Sequence, residues 1–317
     1  KVNLINLNVA QDKNENLNAS LQVLSETFPV LFQRLQELKG DDPKQRTLIN
    51  DALTIWFVKA SKYPSKKFSG LEDNPVSIYG TLEKLDCYTF IFQYTIDFWI
   101  EGNSALSNST RSLFIKMCTF IENFEDLNGL LFKKWLQQCL YDINKKMKVR
   151  YFLFDTLFSF MSTTQAELVI FEDNHSNFIT ELLELMSSNA LALPAGKTLS
   201  NFIIRLYKEK CEEKINQHWI NQTIECLKKS EPSTVKNMEL YLLSPIFKKV
   251  PKSVFKTFVS RLKNDISTML SILKVGQELG IIDEPFHPGE YHLISLDVVV
   301  NELLQSSLYK NSAFQLL

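Results

Sequence analysis

Glycine and proline are scarce, with 9 and 10 in 317 residues. That is too little turn chemistry for a many-stranded sheet, whose hairpins each need their own turn residues. No apolar run reaches the roughly 18 residues a membrane span requires, so the chain reads as soluble with no membrane partner. Histidine is limited to four residues. There is no G-x-S-x-G elbow, no cysteine with an evident histidine partner, and no glycine-rich dinucleotide or S-adenosylmethionine loop after a strand. The five cysteines (Cys87, Cys118, Cys139, Cys211, Cys226) are odd in number, widely spaced and set among apolar residues. They read as reduced core thiols of a cytosolic or nuclear protein, and a cytoplasmic setting is expected. The sequons at Asn18, Asn108 and Asn221 are read as chance products of an Asn- and Ser-rich chain.

What remains is helix-forming material. Leu21, Leu24, Phe28, Leu31, Leu35 and Leu38 form one stripe at helical spacing, closed by Lys39-Gly40. Asp41-Asp42 and Pro43 open a second helix through "TLINDALTIWFVKA", and residues 61–75 read as a loop. Residues 77–100 read as one helix, apolar on most of its circumference towards the end. Further helices are expected at about 105–123, 129–143, 148–162, 174–188, 195–212, 215–229, 234–249, 252–263, 266–279 and 290–308. Short polar links give a helix pair roughly every 40 residues, close to HEAT and armadillo spacing. The expected fold is all-α: a single α-solenoid of HEAT/armadillo-like antiparallel helix pairs over residues 1–317. Each pair buries its apolar face on the next. A start at Lys1 and an apolar end, "NSAFQLL", suggest a fragment of a longer chain.

The short motifs fall to plainer readings. "LPAGKTLS" (Leu193–Ser200) holds Gly-Lys-Thr, but a phosphate loop needs a glycine where Leu191 stands, so the segment reads as a helix start near Gly196. His287, Glu290 and His292 have the wrong spacing for a helical zinc site and lie among turn residues. His175 and His218 stand alone. Asp41-Asp42, Glu212-Glu213 and Asp283-Glu284 read as caps or solvated faces. "LDVVV" (Leu296–Val300) fits strand and helix equally. An autonomous enzyme is not expected, and no cofactor or metal is expected on this chain.

The net charge of −1 conceals a polarised distribution. Residues 1–130 carry 13 basic and 16 acidic side chains, residues 131–265 carry 20 and 14, and residues 266–317 carry 2 and 6. Two basic groups stand out in the middle. Lys133, Lys134, Lys145, Lys146, Lys148 and Arg150 flank one elbow in "CLYDINKKMKVRYFLF". Lys248, Lys249, Lys252, Lys256, Arg261 and Lys263 run through "IFKKVPKSVFKTFVSRLKN". Such elbows can merge into a ridge that neutralises phosphates. The plainer alternative is a solvated elbow, because lysines beside helix C-termini complement the macrodipole.

Five phrases in order, "TFIFQYTIDFWIEGNSALSNSTRSLFIKMCTFIENF", "LYDINKKMKVRYFLFDTLFSF", "LLELMSSNALALPAGKTLSNFI", "YLLSPIFKKVPKSVFKTFVSRL" and "STMLSILKVGQELGIID" with "LISLDVVVNELL", cover most of residues 50–310. Their order resembles the THADA family of large helical-repeat proteins. "KVRY" (Lys148–Tyr151) falls where that family has a similar Lys-x-basic-Tyr stretch. The family's Arg-Arg-Ser-Ala-Gly-Leu-Pro signature is absent, so the chain resembles the N-terminal repeats that precede it.

The resemblance implies a non-catalytic scaffold. The fungal member works with a Rossmann-type 2′-O-methyltransferase subunit that holds S-adenosylmethionine, and together they methylate the ribose of nucleotide 32 in the tRNA anticodon loop. The alternative is a HEAT-type protein–protein adaptor, a transport receptor or assembly chaperone, with no RNA role.

Overall fold

The computed structural model describes residues 2–38, 42–63, 74–98, 104–162, 177–208, 213–262 and 266–281. No strand occurs among these residues, and the fold is all-α. Where the sequence reads as one array over 1–317, the contacts group into two compact units: Lys1–Ile143 with Ser159–Met161, and Asn144–Phe158 with Ser162–Leu317. Within each unit, helices pack on their neighbours in the manner of an α-solenoid.

The first unit holds α1 (Val2–Glu37), α2 (Pro43–Ala60), α3 (Leu85–Asp97), α4 (Ser104–Ile121) and α5 (Glu125–Tyr141). The expected α1 stripe is real, with Leu21, Phe28 and Leu35 buried at seven-residue spacing. Pro29 sits inside α1, and a proline cannot donate to the carbonyl four residues back. That carbonyl is Ser25's, and the Tyr79 hydroxyl donates to it at 2.7 Å. Trp56 Nε1 donates to the adjacent Leu24 carbonyl at 2.7 Å. Around these bonds pack Phe28, Trp56 and Tyr79, with the Phe28 ring 4.5 Å from Trp56 and 4.7 Å from Tyr79.

Asp42 caps α2 as expected, accepting from the Lys44 and Gln45 N–H groups at 3.0 and 3.3 Å. Arg46, buried among aromatic residues, donates to the Leu38 carbonyl at 3.0 Å. Asn50 ties α2 to α4 through Ser109 and Thr110, at 3.2 and 3.1 Å.

One expected helix is broken. Residues 77–100 give two 3₁₀ turns, Pro75–Gly80 and Leu82–Lys84, before α3 begins at Leu85. Thr81 between them is extended, at φ −101° and ψ 159°. Gly80 presses against the Phe124 ring so closely that a Cβ there would stand 1.9 Å from Phe124 Cε1. This close approach is a tertiary demand that helical periodicity does not register.

The second unit holds α6 (Lys148–Phe160, up to Phe158), α7 (Asn177–Glu184) with a 3₁₀ turn at Leu185–Ser187, α8 (Ala192–Lys208), α9 (Glu213–Lys229), α10 (Pro232–Met238), α11 (Ser244–Phe247), α12 (Lys252–Arg261) and α13 (Ile266–Glu278). Its core runs through Phe154–Phe178, Phe158–Phe202 and Trp219–Phe258 ring pairs at 4.4, 4.9 and 5.4 Å. Between α10 and α11 the chain widens into a π-helical turn, Glu239–Leu243, closed by the Ser244 N–H on the Glu239 carbonyl. Pro245 follows directly, and the wider turn accommodates a residue that offers no N–H.

The Gly-Lys-Thr motif finds its place here. It lies inside α8, which begins at Ala192, four residues before the expected start. Gly196 is buried against the π turn: a Cβ would stand 2.7 Å from Tyr241 Cβ and 3.1 Å from the Tyr241 carbonyl carbon and oxygen. This motif is a helix-crossing point, and no loop is present there to wrap a phosphate. Gly196→Ala is expected to lower stability by about 1–3 kcal/mol, overpacking against backbone outweighing the helix-propensity gain of about 1 kcal/mol. Chemical denaturation of the two proteins checks this.

Asp155 on α6 lies beside Thr198, Lys197 and Asn201 of α8. Burial pushes its carboxyl from 3.8 up to about 6, against the opposing pull of the Thr198 hydroxyl, the Lys197 ammonium and the Asn201 amide. A folded value above the unfolded one means that ionised Asp155 opposes folding above pH 6. The penalty fades as pH falls through 6 and is gone below about 4, where both states are protonated. Asp155→Asn is expected to stabilise the protein by about 2–3 kcal/mol at pH 8 and by almost nothing at pH 4, read by unfolding curves at the two pH values.

Candidate nucleic-acid interface

The first basic elbow is a tight turn between α5 and α6. Asn144 organises it, its side chain accepting from the Lys146 N–H at 2.9 Å and its carbonyl from the Met147 N–H at 2.9 Å. The Tyr151 hydroxyl, on the first turns of α6, reaches back to the Lys145 carbonyl at 2.6 Å. Burial pushes the Tyr151 phenol above its ordinary value, so it stays a neutral donor.

The expected cations of this elbow divide. Arg150 is 2% exposed and its Nη1 bonds to Glu181 Oε1 on α7. Lys145 Nζ meets the other oxygen of the same carboxylate at 2.7 Å. Glu181 thus gathers two of the cations that the sequence assigns to phosphate. Arg150 is a correction to that reading: it is a core ion-pair residue, because a guanidinium between two helices must be matched by a carboxylate. Lys146 remains exposed and Lys148 half-exposed; Lys133 and Lys134 are exposed on α5, in the first unit.

Four lysines of the second group, Lys248, Lys249, Lys252 and Lys256, are exposed. Lys248 and Lys249 form the exposed turn after α11, with the Lys249 N–H on the Ile246 carbonyl at 2.8 Å. Cations are expected at that helix end. Lys252 and Lys256 are different. They stand one turn apart, exposed, at the N-terminal half of α12, where the macrodipole disfavours positive charge. Pro251 at the cap position supplies no side-chain hydrogen bond to the first turn. The Pro251 carbonyl accepts from the Val254 N–H at 2.9 Å, and a helix start without a side-chain cap and with lysines around it is an anion-favouring arrangement. Arg261 is half-exposed and its Nη1 bonds to Asn221 Oδ1 on α9. Lys263 lies outside the described residues.

Other candidate chemistry is sparse. Among the described residues no group of three His, Cys, Asp or Glu side chains could hold a metal ion, and no helix is long and apolar enough to cross a membrane. Cys87, Cys118, Cys139 and Cys226 carry no disulfide. Burial pushes the Cys87, Cys118 and Cys226 thiols up, away from the thiolate a nucleophile requires. His175, His287, Glu290, His292 and the Leu296–Val300 segment lie outside the described residues.

Residues 216–317 match the family described as Trm732, TPR repeats. The matched stretch covers most of α9, all of α10–α13, and the whole second basic group. The likeness covers about a third of the chain, 102 of its 317 residues. No solved structure matches the chain.

Arg150 and Lys252 separate core charge from surface charge. Arg150→Met, which leaves Glu181 with the exposed Lys145 as its remaining ion-pair partner among the described residues, is expected to lower stability by about 2–3 kcal/mol. Lys252→Met is expected to change it by less than about 0.5 kcal/mol. Thermal or denaturant unfolding of the two variants is the check.

Proposed function

We propose that this chain is a non-catalytic subunit that holds tRNA for a partner methyltransferase in the cytoplasm, presenting the ribose of anticodon-loop nucleotide 32 for 2′-O-methylation. The observation that carries this reading is the exposed lysine set Lys248, Lys249, Lys252 and Lys256 around the uncapped start of α12, inside the stretch that matches Trm732 repeats. Lys146, Lys148, Lys133 and Lys134 would add phosphate contacts at the other elbow, and Arg150 would not. The choice of nucleotide 32 and of a Rossmann-type partner follows the family likeness.

In this mechanism the chain supplies position and the partner supplies chemistry. Lysines on fixed helix ends neutralise phosphates at set places on the tRNA body, which orients the molecule without reading bases. Fixing a target ribose against a methyl donor turns an encounter into an intramolecular step, and such positioning can lower a barrier by several kcal/mol, about 7 in favourable cases. S-adenosylmethionine would be held by the partner, and no group on this chain need touch it.

Gel shift with bulk tRNA at two salt concentrations tests the reading. The combined variant Lys248→Glu, Lys249→Glu, Lys252→Glu, Lys256→Glu is expected to bind tRNA more weakly and to flatten the log–log salt slope by about 3. Labelled S-adenosylmethionine should transfer methyl to tRNA only when the methyltransferase is added. Undiminished binding by the folded variant overturns the assignment of these lysines. Absence of tRNA affinity in the unaltered chain at both salt concentrations favours the protein-only adaptor.

A further inference from the structure

The second unit also holds a groove of about 510 Å3. It is walled by α7, the C-terminal half of α9 and the start of α10. Its walls are braced on two sides. Thr180 Oγ1 donates to Gln222 Oε1 at 3.3 Å between α7 and α9, and Asn237 Nδ2 donates to the Met186 carbonyl at 2.8 Å between α10 and the 3₁₀ turn after α7. The groove is therefore formed before anything enters it, which spares an occupant the cost of ordering it.

Its lining is apolar below and acidic above. Leu183 is buried and Cys226 half-buried, whereas Glu184, Glu225 and Glu231 are exposed. Glu225 is met by Lys228 and Lys229 of its own helix, at 3.7 and 3.6 Å. Among the described residues Glu184 and Glu231 enter no ion pair. Among the described lining residues Lys229 is the one cation, against three carboxylates. This acidic place lies in the segment 131–265, where 20 basic side chains outnumber 14 acidic ones. With Glu225 met by two lysines, Glu184 and Glu231 set the sign of the groove, which disfavours phosphate and attracts a cationic side chain.

We propose that the groove is the docking site for a lysine- or arginine-bearing segment of the partner methyltransferase. The segment's aliphatic stem or apolar neighbour lies on Leu183 and Cys226, and its cation lies between Glu184 and Glu231. A volume of this size takes about two or three side chains, the anchor of a larger protein contact. The inference rests on the functional reading above and adds a division of labour to it: basic helix ends hold the nucleic acid, and the acidic groove holds the enzyme. Opposite signs on the two surfaces keep each ligand from the other's site.

The test uses the full chain and its methyltransferase. Glu184→Lys with Glu231→Lys is expected to weaken methyltransferase binding at least tenfold without reducing tRNA affinity, and the milder pair Glu184→Gln with Glu231→Gln to weaken it less in the same direction. Alkylation of Cys226, read by peptide mass, should slow when the unaltered complex forms. Equal methyltransferase affinity for both pairs and the unaltered chain, or unchanged Cys226 alkylation in the complex, overturns the groove assignment and leaves the functional reading standing. A chain that binds no methyltransferase at all overturns both. Protection of Cys226 that grows with chain concentration alone assigns the groove to a second copy and overturns the proposal.

Discussion

Burial of large aromatic side chains between neighbouring helices is the interaction on which both units depend. Trp56, Phe28, Tyr79 and Phe120 in the first, and Phe154, Phe178, Trp219 and Phe258 in the second, are each at most 5% exposed. Helices stacked in this way face water chiefly at their turns and outer flanks, so polar function must be placed there. The same packing compels local repairs. Pro29 strips a donor from the Ser25 carbonyl and Tyr79 replaces it. Pro245 follows a π turn whose Tyr241 backbone rests on Gly196.

Charge is sorted by the same rule. A cation whose stem enters the core must find partners there, as Arg150 finds Glu181 and Arg46 finds the Leu38 carbonyl and the Phe98 ring. Lys146, Lys248, Lys249 and Lys256, on turns and at a helix start, stay exposed to water. Sequence proximity cannot make that distinction, since Lys148 and Arg150 are two residues apart and differ in exposure because the helix turns about 200° between them. The acidic groove and the lysine-bearing start of α12 lie in one unit and differ in sign.

Much of the architecture was legible beforehand. The Leu21–Phe28–Leu35 stripe, the Asp42 cap and most helices between Ser104 and Glu278 lie within a few residues of expectation, because periodicity and caps are local signals. The helix expected at 234–249 is interrupted by the π turn, and that expected at 290–308 lies outside the described residues. The break at residues 75–84 was not legible, since it answers to the Phe124 ring, about 40 residues away in the chain. Gly196 showed itself in a familiar tripeptide, yet its reason is a crossing helix. The groove had no signal at all: Glu184, Cys226 and Glu231 come from three elements, and nothing in their spacing marks them as neighbours.

The amino-acid sequence by itself determined the all-α class, the position of most helices among the described residues, the basic middle, and the match of residues 216–317 to Trm732 repeats. All of these follow from composition, short-range periodicity and the order of local phrases. Only the tertiary structure decided which cations are spent inside the fold and which face outward, and where an acidic groove opens among basic helices. Burial and pairing depend on residues brought together from distant parts of the chain, and a side chain's charge acts according to what surrounds it.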